Sequence, residues 1–124
     1  MALSDEETQA VVRMAMELAR QGRTRELEEL VQRGLDVDVQ DADGNSLVML
    51  ATYHGRLDAV RVLVGLGADV DLPNHRGQSP IAGAIFKGED EVVALLRAAG
   101  ADLDAGTPSA RAVAELLGAS ALLE

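Results

Sequence analysis

The pattern of residues 41–74 recurs 33 positions further along the chain. Laying Asp41–Asn74 over Asn74–Ala105 aligns Gly44 with Gly77, Ser46 with Ser79, Ala51 with Ala84, Gly55 with Gly88 and Val60 with Val93. The close repeats nearly letter for letter, Gly67-Ala68-Asp69-Val70-Asp71 being answered by Gly100-Ala101-Asp102-Leu103-Asp104. The same step backward lands on Gly34-Leu35-Asp36-Val37-Asp38. A chain with this period is restricted to folds in which each copy is one supersecondary unit that cannot bury its apolar face alone and stacks on the next.

Within each copy the residues read as turn, helix, turn, helix. Asp41-Ala42-Asp43-Gly44 is turn chemistry, glycine supplying the positive φ that other residues resist. Ser46 and Ser79 are placed to cap a first helix, and Pro80 stands where a first helical turn tolerates the missing N–H. The spacing predicts a helix from Ser46 to about Tyr53, a break at His54-Gly55, and a second helix from about Leu57 to Leu66. Val48 and Ala51 then face Val60, Leu63 and Val64, as Ile81 and Ala84 face Val93 and Leu96. Gly83, inside a first helix, is read as allowing close packing.

These residues resemble the ankyrin-repeat family, through Asp43-Gly44-x-Ser46, Ser79-Pro80-Ile81, the small residues of the first helix and the Gly-Ala-Asp-Val-Asp close. A period of 33 residues is the one known for ankyrin units. The resemblance covers Arg20–Asp104 well and both ends weakly. It implies an all-α solenoid of stacked antiparallel helix pairs with short turn fingers. We expect one domain over 1–124: an amino-terminal capping repeat (1–40), repeats at 41–73 and 74–106, and a carboxy-terminal cap (107–124). Met49 and Ala82 stand where the family often has histidine.

The two ends are read from local signals. Ser4 with Glu7 is a capping box, and Asp5, Glu6 and Glu7 put negative charge at a helix start. A first helix should bury Val11, Ala15, Leu18 and Ala19 and end at Gly22, and a second should run from about Arg25 to Arg33. Near the other end, Thr107-Pro108 reads as a cap with proline just inside a helix, five residues ahead of the repeat. Val113, Leu116 and Leu117 are expected to cover the third unit, and Arg97, standing where Val31 and Val64 stand in the other units, to reach solvent past a small last element.

Composition narrows function more than fold. The 124 residues hold 21 Asp and Glu against 11 Lys and Arg, a net charge of −10, which opposes approach to a phosphate backbone, so no nucleic acid is expected as partner. Cysteine is absent, removing disulfides, thiolate nucleophiles and Cys-type zinc sites. No apolar run spans a bilayer and no secretory leader is seen, so the sequence reading is of a cytoplasmic protein with no membrane partner. With no catalytic triad, phosphate loop or paired carboxylates, the chain is read as no enzyme and as needing no cofactor.

The family resemblance implies a partner protein gripped on the concave side by turn tips and the exposed ends of first helices. On this chain those positions are Gln40, Ala42, Asp43, Asn45, Tyr53 and His54 in one unit, and Pro73, His75, Arg76, Gln78, Phe86 and Lys87 in the next. Tyr53 and Phe86, the one Tyr and one Phe of the chain, fall 33 residues apart, and grouped exposed aromatics mark interfaces. Phe86 folding inward beneath the turn is the alternative. Arg76 and Lys87 make a small basic island suited to an acidic segment. The function expected is a non-catalytic interaction module, an adaptor or an inhibitor or stabiliser of its partner, monomeric when free. Two other readings are kept: a small-ligand or metal site at His54 and His75, with Asp43 as a further metal ligand, and structural self-association through the last element.

Overall fold

Ser4 starts the chain's first helix, as its spacing to Glu7 predicts. In the computed structural model, which describes residues 3–124, the Ser4 hydroxyl accepts the Glu7 N–H at 3.1 Å and the Glu7 carboxylate accepts the Ser4 N–H at 3.0 Å. Met1 and Ala2, the start of the acidic terminus, lie outside the described residues. Helix α1 (Asp5–Gln21) buries Ala15, Met16, Leu18 and Ala19. Val11, expected in the core, is only half-buried, and Met16, which the sequence reading did not select, is buried.

Six further helices follow: α2 (Thr24–Gln32), α3 (Leu47–Tyr53), α4 (Leu57–Gly65), α5 (Pro80–Lys87), α6 (Asp90–Ala98) and α7 (Ala110–Leu116), with a final 3-10 turn over Ser120–Leu123. Among the described residues no strand forms; one isolated bridge joins Gln40 and Ser46 across a finger. The helices make two layers. One row runs α1, α3, α5, α7, and the other α2, α4, α6 and the 3-10 turn, each member touching the next and its own partner across the pair. All seven helices and that turn thus belong to one stack.

Side-chain size explains the layering. Ala15, Ala51, Ala84 and Ala114 are each fully buried in the first row, where a methyl group lets backbones approach. Both rows supply bulk: Met16, Leu47 and Ile81 from the first, and from the second Leu27, Val60 and Val93 at the repeat spacing with Leu63 and Leu96 one turn on, all nearly or wholly buried. Each such side chain contributes about 1.5–3 kcal/mol when fully removed from water.

The fingers are closed by their own side chains. The Asp41 carboxylate accepts the N–H groups of Asp43 and Asn45, both at 2.9 Å; one unit later the Asn74 side-chain oxygen accepts those of Arg76 at 2.9 Å and Gln78 at 3.1 Å. Successive fingers then bond to each other, His75 N–H to Asp43 O and Thr107 N–H to Gly77 O, each at 2.9 Å. These contacts do the bracing for which family histidines are absent here. Gly44 has φ +80°, and a Cβ there would lie 2.7 Å from the His75 backbone nitrogen, so both the turn and the neighbour demand glycine.

Four expectations are corrected. The cap of α7 is Ser109, whose hydroxyl accepts the Ala112 N–H at 3.2 Å, and Thr107 and Pro108 precede the helix, in the finger that the Thr107 N–H joins to Gly77 O. The caps Ser46, Ser79 and Ser109 are therefore 33 and then 30 residues apart, a three-residue shortening in place of five. Val113 is buried, but Leu116 is 84% exposed and Leu117 is exposed too, since α7 lays Ala110, Val113 and Ala114 on α5 and turns its end outward. Arg97 donates to the Leu122 and Glu124 carbonyl oxygens at 3.0 and 2.9 Å, fastening the last turn where a solvated head was expected. At Gly83 a Cβ would meet only Met49 Sδ, at 3.8 Å, so helix packing does not require glycine there.

Candidate protein-interaction surface

Where the first row of helices meets the fingers, three hollows follow one another. The first, about 670 Å³, lies between α1 and the finger at Gln40–Ala42, with Gln9, Val12, Arg13 and Met16 on its helical wall. The second, about 290 Å³, is bounded by Asp43, Asn45, Asn74, Arg76 and Gln78 of two fingers and by Met49, Leu50 and Tyr53 of α3. The third, about 300 Å³, shares Met49, Tyr53 and Gln78 with the second and continues over Ala82, Gly83 and Phe86 to Pro108, Val113, Leu116 and Leu117. Its walls are mostly apolar.

Tyr53 ends α3 and Phe86 is the last residue but one of α5, and both rings stand out, 44% and 65% exposed. Phe86 does not fold inward. The Lys87 ammonium lies 4.7 Å from the Tyr53 ring centroid, a cation–π distance, and the His54 ring meets Tyr53 edge-on at 6.0 Å. Four of the twelve sequence-selected residues thus gather at one place, with Phe86 on the wall that Tyr53 shares.

The others divide into free and committed groups. Ala42, Asp43 and Arg76 are exposed and line the hollows; Gln78 is exposed too, but its side-chain oxygen accepts from the Asn74 amide at 2.8 Å. Gln40 is a brace, its amide donating to Gly44 O at 2.7 Å and to Pro73 O at 3.2 Å; Pro73 enters mainly as that acceptor. Asn45 is half-buried and accepts from the Asn74 amide at 3.1 Å. His75 packs over Gly44 and donates its N–H to Asp43 O. Among the described residues no group of three or more His, Cys, Asp or Glu side chains could hold a metal ion.

Sequence reasoning missed the floor and far wall of the third hollow, which Met49, Ala82, Gly83, Pro108, Leu116 and Leu117 supply. The paired leucines at a helix end were the available signal. It also missed α1: Gln9, Arg13, Met16 and Arg20 share a helical face by their spacing, and that face lines the first hollow.

Charge is distributed unevenly. Exposed carboxylates outside the groove pair locally, Glu26 with Arg23 at 2.7 Å, Glu29 with Arg33 at 2.7 Å and Asp58 with Arg61 at 3.0 Å. Each such pair is worth about 0–1 kcal/mol. Among the described residues Arg76 and Lys87 make no ion pair.

No described helix is long and apolar enough to cross a membrane. The sequence profile described as ankyrin repeats (3 copies) matches residues 15–107. A Pseudomonas aeruginosa protein (strain PAO1) named as an ankyrin repeat protein is 48% identical over 54 residues, which is 44% of this chain and 32% of that protein. The chain therefore spans about a third of the length of this curated relative. Ankyrin repeats generally serve protein–protein interaction and are typically non-enzymatic. With the profile covering most of the chain, and paired helices stacked in two rows beneath it, the chain belongs to the ankyrin-repeat family.

Proposed function

We propose that this chain docks a partner protein in the groove between its first-row helices and its fingers, with Tyr53, His54, His75, Arg76, Phe86 and Lys87 at the centre. The observation that carries this reading is Phe86, 65% exposed on the rim of an apolar hollow of about 300 Å³. Apolar area left in water costs about 25 cal/mol per Å², and aromatic and Arg side chains concentrate at binding hot spots. In the same reading 1–40 and 107–124 cap the stack, 41–73 and 74–106 present the groove, and the chain acts by occupancy, as an adaptor or as an inhibitor or stabiliser of what it holds, without catalysis.

The test is capture of partners from the native cell by the immobilised protein, with affinity for the captured protein measured for wild type and for the Tyr53→Ala/Phe86→Ala double variant. Association weaker by more than about 2 kcal/mol, with unchanged helicity and melting temperature, is the expected result. An affinity that does not change removes the groove as the docking surface.

A further inference from the structure

The basic side chains of this acidic protein are not spread evenly over it. Of the 11 Lys and Arg residues, Arg20, Arg23, Arg33, Arg61 and Arg111 pair with carboxylates. Arg56 donates to the Arg20 carbonyl and Arg97 to those of Leu122 and Glu124. Among the described residues this leaves Arg13, Arg25, Arg76 and Lys87 without a bonded oxygen. Three of these four border the groove, Arg13 in the first hollow, Arg76 in the second, and Lys87 over the Tyr53 ring between the second and third. The carboxylates on the same walls are mostly engaged: Glu17 holds Arg20 at 3.2 Å and Asp41 closes its own finger. Among the described residues only the Asp43 carboxylate there has no bonded donor. The groove thus presents three free cations to one free anion, in a chain whose net charge is −10.

We infer that the occupant of the groove is a partner segment in which carboxylates flank one bulky apolar side chain. The apolar side chain enters the hollow walled by Phe86, Leu116 and Leu117, one carboxylate meets Lys87 and Arg76 beside it, and further acidic residues run toward Arg13. The rest of the surface, carrying the excess negative charge, repels such a segment everywhere else, so charge selects the face as well as the partner. This inference rests on the groove docking proposed above and adds the chemistry of what docks.

A random 12-residue peptide library displayed on phage and selected on the whole protein tests it. Enriched peptides are expected to carry two or more Asp or Glu around a Leu, Phe, Trp or Met. A synthetic peptide from that pool should lose at least tenfold in affinity against Arg76→Glu/Lys87→Glu and weaken with added salt, while Arg25→Glu, on α2, leaves affinity unchanged. If enriched peptides are basic or uncharged yet are lost on Tyr53→Ala/Phe86→Ala, groove docking stands and the acidic occupant is overturned. If enriched peptides ignore both double variants, the docking reading itself falls. A library that yields no binder, a twelve-nucleotide single-stranded DNA that binds where the peptides do not, or a dimer that Phe86→Ala abolishes, each overturns the inference.

Discussion

The Asp38 carboxylate accepts the backbone N–H of Asp69 at 2.9 Å, and the same bond recurs one unit on, from Asp102 N–H to the Asp71 carboxylate at 2.8 Å. The Gly-Ala-Asp-Val-Asp close is therefore a junction device: its last aspartate reaches forward to the first aspartate of the next close. Replacing Asp71 with Ala removes a charge-assisted acceptor and leaves an N–H to water, at a cost of about 1–2 kcal/mol. Asp71→Asn keeps an oxygen in place and should retain part of that stability. Urea midpoints at unchanged m-value check both.

Thr52 is fully buried, and among the described residues its hydroxyl has no hydrogen-bond partner. Exchanging it for Val preserves the branched shape and removes the unpaired group, so Thr52→Val is expected to stabilise by about 1 kcal/mol. A lowered melting temperature would contradict this.

Gly44 and Gly67 both have positive φ, +80° and +90°, but a Cβ on Gly67 would meet nothing within 4 Å whereas one on Gly44 would run into His75. Gly67→Ala should therefore cost only the left-handed strain, about 1–2 kcal/mol. Gly44→Ala should cost at least about 1 kcal/mol more, because the His75 finger must move. Denaturation of the two variants side by side distinguishes strain from collision.

The Glu7 carboxyl is held below the usual carboxylate range, chiefly by the Ser4 backbone N–H and then by the Ser4 hydroxyl. A depressed folded-state value stabilises above the unfolded value and ceases to do so as pH falls through the folded one. The start of α1 is thus expected to fray in acid before the stacked units open. Protection of the Glu7 and Thr8 amides against exchange, relative to their intrinsic rates, should fall at low pH in the wild type, and Glu7→Gln should remove most of that pH dependence.

What was legible in the sequence was whatever a few neighbouring residues decide. Ser4, Ser46 and Ser79 cap their helices because a hydroxyl and an amide three residues on suffice. Thr107-Pro108 carries the same local signature and misleads: it belongs to the finger bonded to Gly77, a distant partner that local spacing does not show, and the helix is capped by Ser109. Arg97 misleads likewise: its acceptors lie 25 and 27 residues away. At the candidate site, the exposure of Tyr53 and Phe86 is what the family resemblance implied for the ends of first helices. The commitment of Gln40 to Pro73, 33 residues on, and the outward turn of Leu116 were not legible, because each depends on how one unit lies against another.

The finger amides and the aspartate arms tie unit to unit with groups that every copy carries, a backbone N–H offered on one side and an oxygen on the other. A tandem duplication of 41–73 would therefore arrive with its donors and acceptors already matched at both seams. Such an event would lengthen the groove by one helix spacing, about 8–10 Å, so the reach of this scaffold can grow in fixed increments without a new core being invented.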